Sequence, residues 1–290
     1  MTEITLFSPD VSELGEGPTF DVTSQTLFWF DISGKRLLEQ RGGDGRFTAH
    51  PLPFMASALA SIDGDRQMVV GEDGLYVRDR VTGRLIRRVA IEADNKLTRS
   101  NDSRTHPSGA LWFGTMGKNA EHQAGAIYYY REGELKLLYP NITIPNAICF
   151  SPDGRIAYFT DTAVNKMMRV DCDPITGLPI GEPSVFFDNS KHEGGLDGSV
   201  CDGDGQIWNA RWGAASLDCY SPDGIRIKSI SMPVQQPSCP AFCGTGLSDL
   251  AVTSAWENMD VAARKADPDA GKTFIVTLGL RGRAEPAVAL

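Results

Sequence analysis

Asn146-Ala147-Ile148-Cys149-Phe150-Ser151-Pro152-Asp153-Gly154-Arg155-Ile156-Ala157-Tyr158-Phe159 holds the pattern that decides the fold. A glycine turn with an adjacent Asp gives way at once to a run of β-branched, apolar and aromatic residues. The run is too short for a helix and reads as a strand. Eight residues before the turn stands Asn146, whose side chain carries an amide oxygen.

The same arrangement recurs along the whole chain. The runs are Leu27-Phe28-Trp29-Phe30, Met68-Val69-Val70, Leu111-Trp112-Phe113, Ile156-Ala157-Tyr158-Phe159, Ile207-Trp208 and Leu250-Ala251-Val252. Turns precede them at Ser24, Gly64, Gly109, Gly154, Gly205 and Gly246, spaced by 40, 45, 45, 51 and 41 residues. A period of ~40–50 residues with several strands per unit is that of a propeller blade. Six units fill the chain, so the expectation is an all-β, six-bladed β-propeller: four-stranded antiparallel blades around a central channel, as a single domain over residues 1–290. Thirty Gly and 17 Pro in 290 residues suit so many turns. The longest helix-compatible stretch, Glu257 to Ala266, is short and polar.

Eight residues back from the six turns lie Glu16, Ala56, Asn101, Asn146, Asp197 and Ser238. Equivalent positions of successive blades form a ring about the channel axis. These side chains are therefore expected on the innermost strands, converging on one channel mouth. Four of them carry a carboxylate or amide oxygen, the donors that hard divalent cations take. A purely structural polar ring is the alternative, since buried polar groups need partners with or without a metal.

Composition narrows the function classes. The net charge is −9 with no Lys/Arg cluster, which argues against nucleic acid and anionic membranes as partners. Met1-Thr2-Glu3-Ile4-Thr5 has no basic or apolar signal region, and no run approaches the ~18 apolar residues of a membrane span. A cytoplasmic location follows as an expectation, with six reduced, mostly buried cysteines. Cys239-Pro240-Ala241-Phe242-Cys243 lacks zinc-knuckle spacing and a matching second pair. The four His residues show no zinc-ligand spacing and are expected mostly at the surface. No Gly-x-Ser-x-Gly elbow or phosphate-cradling Gly loop appears, and Gly42-Gly43-Asp44-Gly45 reads as a loop tip.

Several motifs are familiar. Leu14-Gly15-Glu16-Gly17-Pro18 with Leu27 to Ile32, Arg99-Ser100-Asn101-Asp102 before His106-Pro107-Ser108-Gly109, Phe113-Gly114-Thr115-Met116, Pro145-Asn146, and Gly195-Leu196-Asp197-Gly198 before Asp204-Gly205-Gln206-Ile207-Trp208 occur in that order. Together, over roughly residues 13 to 280, the chain resembles the regucalcin/gluconolactonase (senescence marker protein) family. The resemblance implies a six-bladed propeller, one divalent metal and hydrolysis of aldonolactones. It implies metal ligation by Glu16, Asn146 and Asp197, all members of the ring found from spacing. It implies substrate contacts from Arg99 and Asn101, with Glu121 a weaker match. Phe20 stands where the family usually has Trp, Ala147 where Gly is usual, and Cys149 where an aromatic is common; these departures are expected to affect packing near the channel.

The chemistry expected of such a site is lactone opening. A cation held by two carboxylates and an amide keeps open positions, polarises a carbonyl and acidifies bound water. Asp197 is then the candidate general base as well as a ligand. Calcium or zinc is expected first, and manganese or magnesium also suits three oxygen ligands. The partner is a small-molecule sugar lactone. Two other readings stand beside this one: a related propeller esterase or phosphotriesterase, and a non-catalytic calcium-binding module, since propellers host many functions.

Overall fold

Each apolar run of the sequence becomes the second strand of a four-stranded antiparallel sheet, and six such sheets make the molecule. This computed structural model describes residues 2–43 and 45–290. Met1 of the N-terminal stretch and Asp44 of the expected tip Gly42-Gly43-Asp44-Gly45 lie outside the described residues. The innermost strands are Gly15–Asp21, Ala56–Ser61, Thr98–Thr105, Pro145–Phe150, Gly195–Cys201 and Pro237–Cys243. All six residues of the expected ring lie on them. Blades are numbered I to VI in that order. The expected helical stretch yields one short helix, Val261–Ala266, capped by Asp260 accepting from the Ala263 N–H.

Closure of the circle joins the two ends of the chain. Blade VI takes three strands from the C-terminal region and its fourth, outermost strand, Glu3–Ser8, from the N-terminus. That strand pairs Glu3 with Thr277 and Ile4 with Val276. The remaining C-terminal residues run back across the opposite face of the propeller. There the Arg283 guanidinium donates to the carbonyls of Phe150 and Cys201, the Val288 N–H to Ser61 O, and the Ala289 N–H to Gly109 O.

The core is not one mass but six wedges, one between each pair of neighbouring blades. Phe28, Phe30 and Leu37 of blade I meet Leu59 and Val69 of blade II. Leu27, Trp29 and Leu38 on the opposite face of blade I meet Cys243 and Ala251 of blade VI. Strand alternation explains how one run feeds two wedges, because successive side chains point to opposite faces. Continuous apolar runs are thus required in the second strands, and the sequence supplies them. All six cysteines are free and buried.

Every innermost strand carries one extra residue at the level of the ring. Between the pairs Glu16/Phe30 and Thr19/Phe28, three steps on the inner strand oppose two on its neighbour. The same slip occurs at Ser100/Ser103, Asn146/Cys149, Leu196/Ser199 and Pro237/Pro240, and in blade II at Ala56/Ala58. Such bulges bend the strand and re-aim side chains. Gly17 in the first has φ of 55°, and a Cβ there would lie 1.9 Å from Ser57 O, so only glycine fits.

The closure can be tested directly. Deleting residues 1–8 exposes the edge of Thr273–Thr277 and is expected to cost about 3 kcal/mol or more, read as a lower midpoint in urea unfolding followed by tryptophan fluorescence. Unchanged stability would show that the ring is held without this strand.

Candidate active site

Glu16, Arg99, Asn101, Asn146 and Asp197 all line one cavity of about 440 Å³, where the innermost strands begin. Each is buried. The ring's other two members do not line it: Ala56 offers no polar group, and Ser238 uses its hydroxyl to hold the Gly15 carbonyl, stitching blade VI to blade I. Similar stitches run from Asn101 Nδ2 to Pro145 O (2.9 Å) and from Thr162 Oγ1 to Leu196 O (2.7 Å).

A hydrogen-bond chain fixes the polar wall. Arg99 Nη1 donates to Ser100 O (2.9 Å) and to Asn101 Oδ1 (2.7 Å). Asn101 Nδ2 donates in turn to Asn146 Oδ1 (2.9 Å), and Asn146 Nδ2 to Thr162 Oγ1 (2.9 Å). These bonds set the orientation of both carboxamides, with the Asn146 oxygen turned toward Asn101 and its amide nitrogen toward Thr162. Ala147, next in the chain, has φ of 57°, a left-handed conformation that glycine adopts without strain. This accounts for the glycine usual at that position. Phe20 and Cys149 pack in the wedges between blades and do not line the cavity, and Cys149 lies on an innermost strand close to Arg104.

The carboxylates are in tension. Burial pushes Glu16 up to about 8, helped by the negative charge of Asp102, while the Gly17 N–H (3.0 Å) and Arg99 oppose the shift. Burial likewise raises Asp197 well above the usual carboxylate range, and repulsion by Glu16 adds to it. Among the described residues no ion pair reaches either carboxylate. Burial also draws Arg99 down from its ordinary value, against the pull of Glu257, Glu16 and Asp197. Two dehydrated carboxylates facing each other call for a cation or a shared proton. No group of three or more His, Cys, Asp or Glu side chains is gathered for a metal among the described residues; the Asn146 carboxamide lines the same cavity as the two carboxylates. Two carboxylates and one oriented amide oxygen form a donor set that fits a hard divalent cation.

Beneath the site the channel is blocked. Arg104 forms an ion pair with Glu285 (2.8 Å) and donates through Nη2 to Ser199 O (3.1 Å) on the far side. Asp102 accepts from the Ile148 N–H (2.7 Å), and burial pushes it up to about 6 despite Arg104.

Sequence reasoning missed this lower layer, although Asp102 and Arg104 lie within three residues of Asn101. It also missed Glu13 and Glu257, which reach the cavity from connecting loops, and Trp212, at the end of the strand Ile207–Trp212; all three fall outside the eight-residue offset. Glu121 does not join the group. It is exposed and holds its own loop, accepting from the N–H and side-chain amide of Asn119 (3.1 and 2.9 Å). Neighbouring Lys118, Asn119 and Ala120 do line the cavity. Of the histidines, His106 is buried, bonded to Ser108 and Gly154; His122 and His192 are exposed and His50 is half-buried.

The burial of Glu16 makes the stability of the fold depend on pH. Its carboxyl ionises near 4.5 in the unfolded chain and near 8 in the cation-free fold, so its contribution grows more unfavourable as pH rises across that window. Glu16→Gln in chelator-treated protein should therefore be more stable than the parent at pH 8, by on the order of 2 kcal/mol, and equal to it near pH 4. Thermal unfolding at the two pH values checks this; a variant less stable at pH 8 contradicts it.

Residues 14–256 match the family described as SMP-30/Gluconolactonase/LRE-like region. A putative sugar lactone lactonase of Rhizobium meliloti (strain 1021) is 53% identical, the match covering 100% of each chain. L-arabinolactonase of Azospirillum brasilense is 34% identical, over 97% of this chain and 94% of that one. Among solved structures, a calcium-binding protein, regucalcin, from Agrobacterium tumefaciens superposes with a TM-score of 0.97 at 49% identity, covering 98% of this chain and 97% of the other. The chain belongs to the SMP-30/gluconolactonase/LRE-like family.

Proposed function

We propose that this protein hydrolyses sugar lactones to aldonic acids at the mouth of its channel, with one divalent cation held by Glu16, Asn146 and Asp197. The observation that carries the reading is the meeting of two buried, mutually repelling carboxylates with an oriented amide oxygen and a buried Arg in one cavity. Relatives named for sugar-lactone and L-arabinolactone hydrolysis support the substrate class, and a structural relative described as calcium-binding supports calcium as the first cation to test.

The chain's own groups divide the work as follows. When bound, the cation supplies Lewis acidity to the lactone carbonyl and acidifies water. Asp197 accepts the proton of the attacking water as general base. The new C–O bond forms at the carbonyl carbon, the ring C–O bond breaks, and the proton passes to the departing ring oxygen. Arg99, with Nε and Nη2 uncommitted among the described residues, donates to the carbonyl or hydroxyl oxygens of the sugar. Asn101 sits between Arg99 and Asn146, so it contacts the sugar while holding both in register.

Asp197→Ala should lower kcat/KM on pentono- and hexonolactones by about three orders of magnitude and weaken cation binding, with an unchanged circular dichroism spectrum. The parent should lose activity on chelation and regain it when a divalent cation is restored, followed by proton release in a pH-stat. Near-normal turnover by the variant overturns the assignment of Asp197. Hydrolysis of aryl esters or phosphotriesters but not lactones by the parent overturns the substrate class.

A further inference from the structure

Glu257 lines the same cavity but belongs neither to the ring nor to the donor set. Its backbone is clamped. The N–H groups of Trp256 and Glu257 donate to Glu13 O (3.1 and 3.0 Å), and Gln236 Nε2 donates to Glu257 O (3.1 Å). From this fixed support the half-buried side chain makes one hydrogen bond, a long one from Ser33 Oγ to Oε1 (3.4 Å). Oε2 has no hydrogen-bond partner among the described residues. A held carboxylate with spare acceptor capacity, facing a cavity, is equipped to receive donors from a ligand.

The charge around it sets the kind of ligand. Glu13, Glu16, Asp197 and Glu257 line the cavity against only Arg99 and Lys118. Lys118 is already paired with Glu72 at 2.5 Å, and Arg99 has one amino group tied to Ser100 and Asn101. Glu257 also favours the charge of Arg99 more strongly than Glu16 or Asp197 does. Even with a divalent cation present, Nε and Nη2 of Arg99 are the remaining cationic donors of the lining among the described residues, and Glu257 competes with an anionic substituent for their charge.

We propose that Glu257 is a specificity-determining residue, which accepts hydroxyl donors from an uncharged sugar lactone and turns away lactones bearing a carboxylate, sulfonate or phosphate. The proposal rests on the lactonase reading above. Hydroxyl groups donate readily to a carboxylate, whereas a second anion beside it in a half-buried cavity is repelled with little screening.

The test measures kcat and KM at pH 8 with calcium present, on an unmodified hexonolactone and on one phosphorylated at its exocyclic carbon. For the parent, kcat/KM should favour the neutral lactone. Glu257→Gln keeps the shape and removes the charge; it should raise the anionic-to-neutral ratio of kcat/KM about tenfold, chiefly through KM. Glu257→Asp keeps the charge and should preserve the parent's preference. An unchanged ratio in Glu257→Gln, or a parent that favours the phosphorylated lactone, overturns the assignment while leaving the lactonase reading intact. A parent inert toward both lactones overturns the lactonase reading, and this inference with it.

Discussion

Circular closure is the constraint on which everything else depends. Glu16 and Asp197 stand 181 residues apart in the chain, yet each feels the other's charge. No local motif could do this. It requires six blades of nearly equal size, a ring completed by pairing the first strand with the last, and one extra residue in each innermost strand at the same level. The bulges turn the side chains of Glu16, Asn101, Asn146 and Asp197 toward the cavity instead of into the wedges between blades. The C-terminal residues reach the far end of the channel, where Glu285 pairs with Arg104.

From that arrangement the electrostatics follow. Two carboxylates that water does not fully solvate, with no ion-paired partner among the described residues, are unfavourable as a bare pair and favourable around a cation. Arg99 is kept from collapsing onto the carboxylates because one of its amino groups is anchored to Ser100 and Asn101. The site is organised before substrate arrives, which reduces the reorganisation the reaction requires.

Much of this was legible in the sequence because a propeller repeats its grammar. A glycine turn followed by an apolar run marks the second strand of a blade, and counting back a fixed distance reaches the inner strand; that count gives Glu16, Ala56, Asn101, Asn146, Asp197 and Ser238, four of which line the cavity. Groups outside the repeat were not. Glu257 and Glu13 sit in connections whose lengths differ from blade to blade, so no offset leads to them. The partnership of Arg104 with Glu285 joins an inner strand to an irregular tail, and neither side chain announces the other. Glu121 illustrates the opposite limit: it was the weaker match to the family, and its carboxylate is spent on Asn119 in its own loop.

The central claim is that Glu16, Asn146 and Asp197 jointly grip one ion, and calorimetric titration of chelator-treated protein with calcium tests it most directly. Run at pH 7 in two buffers of different ionisation enthalpy, the titration should give one site per chain with proton release on binding. Both the site and the released protons should be lost or strongly reduced in Glu16→Gln and Asp197→Asn. Binding of equal strength in the parent and both variants, or none in the parent with calcium, zinc, manganese or magnesium, would contradict the account.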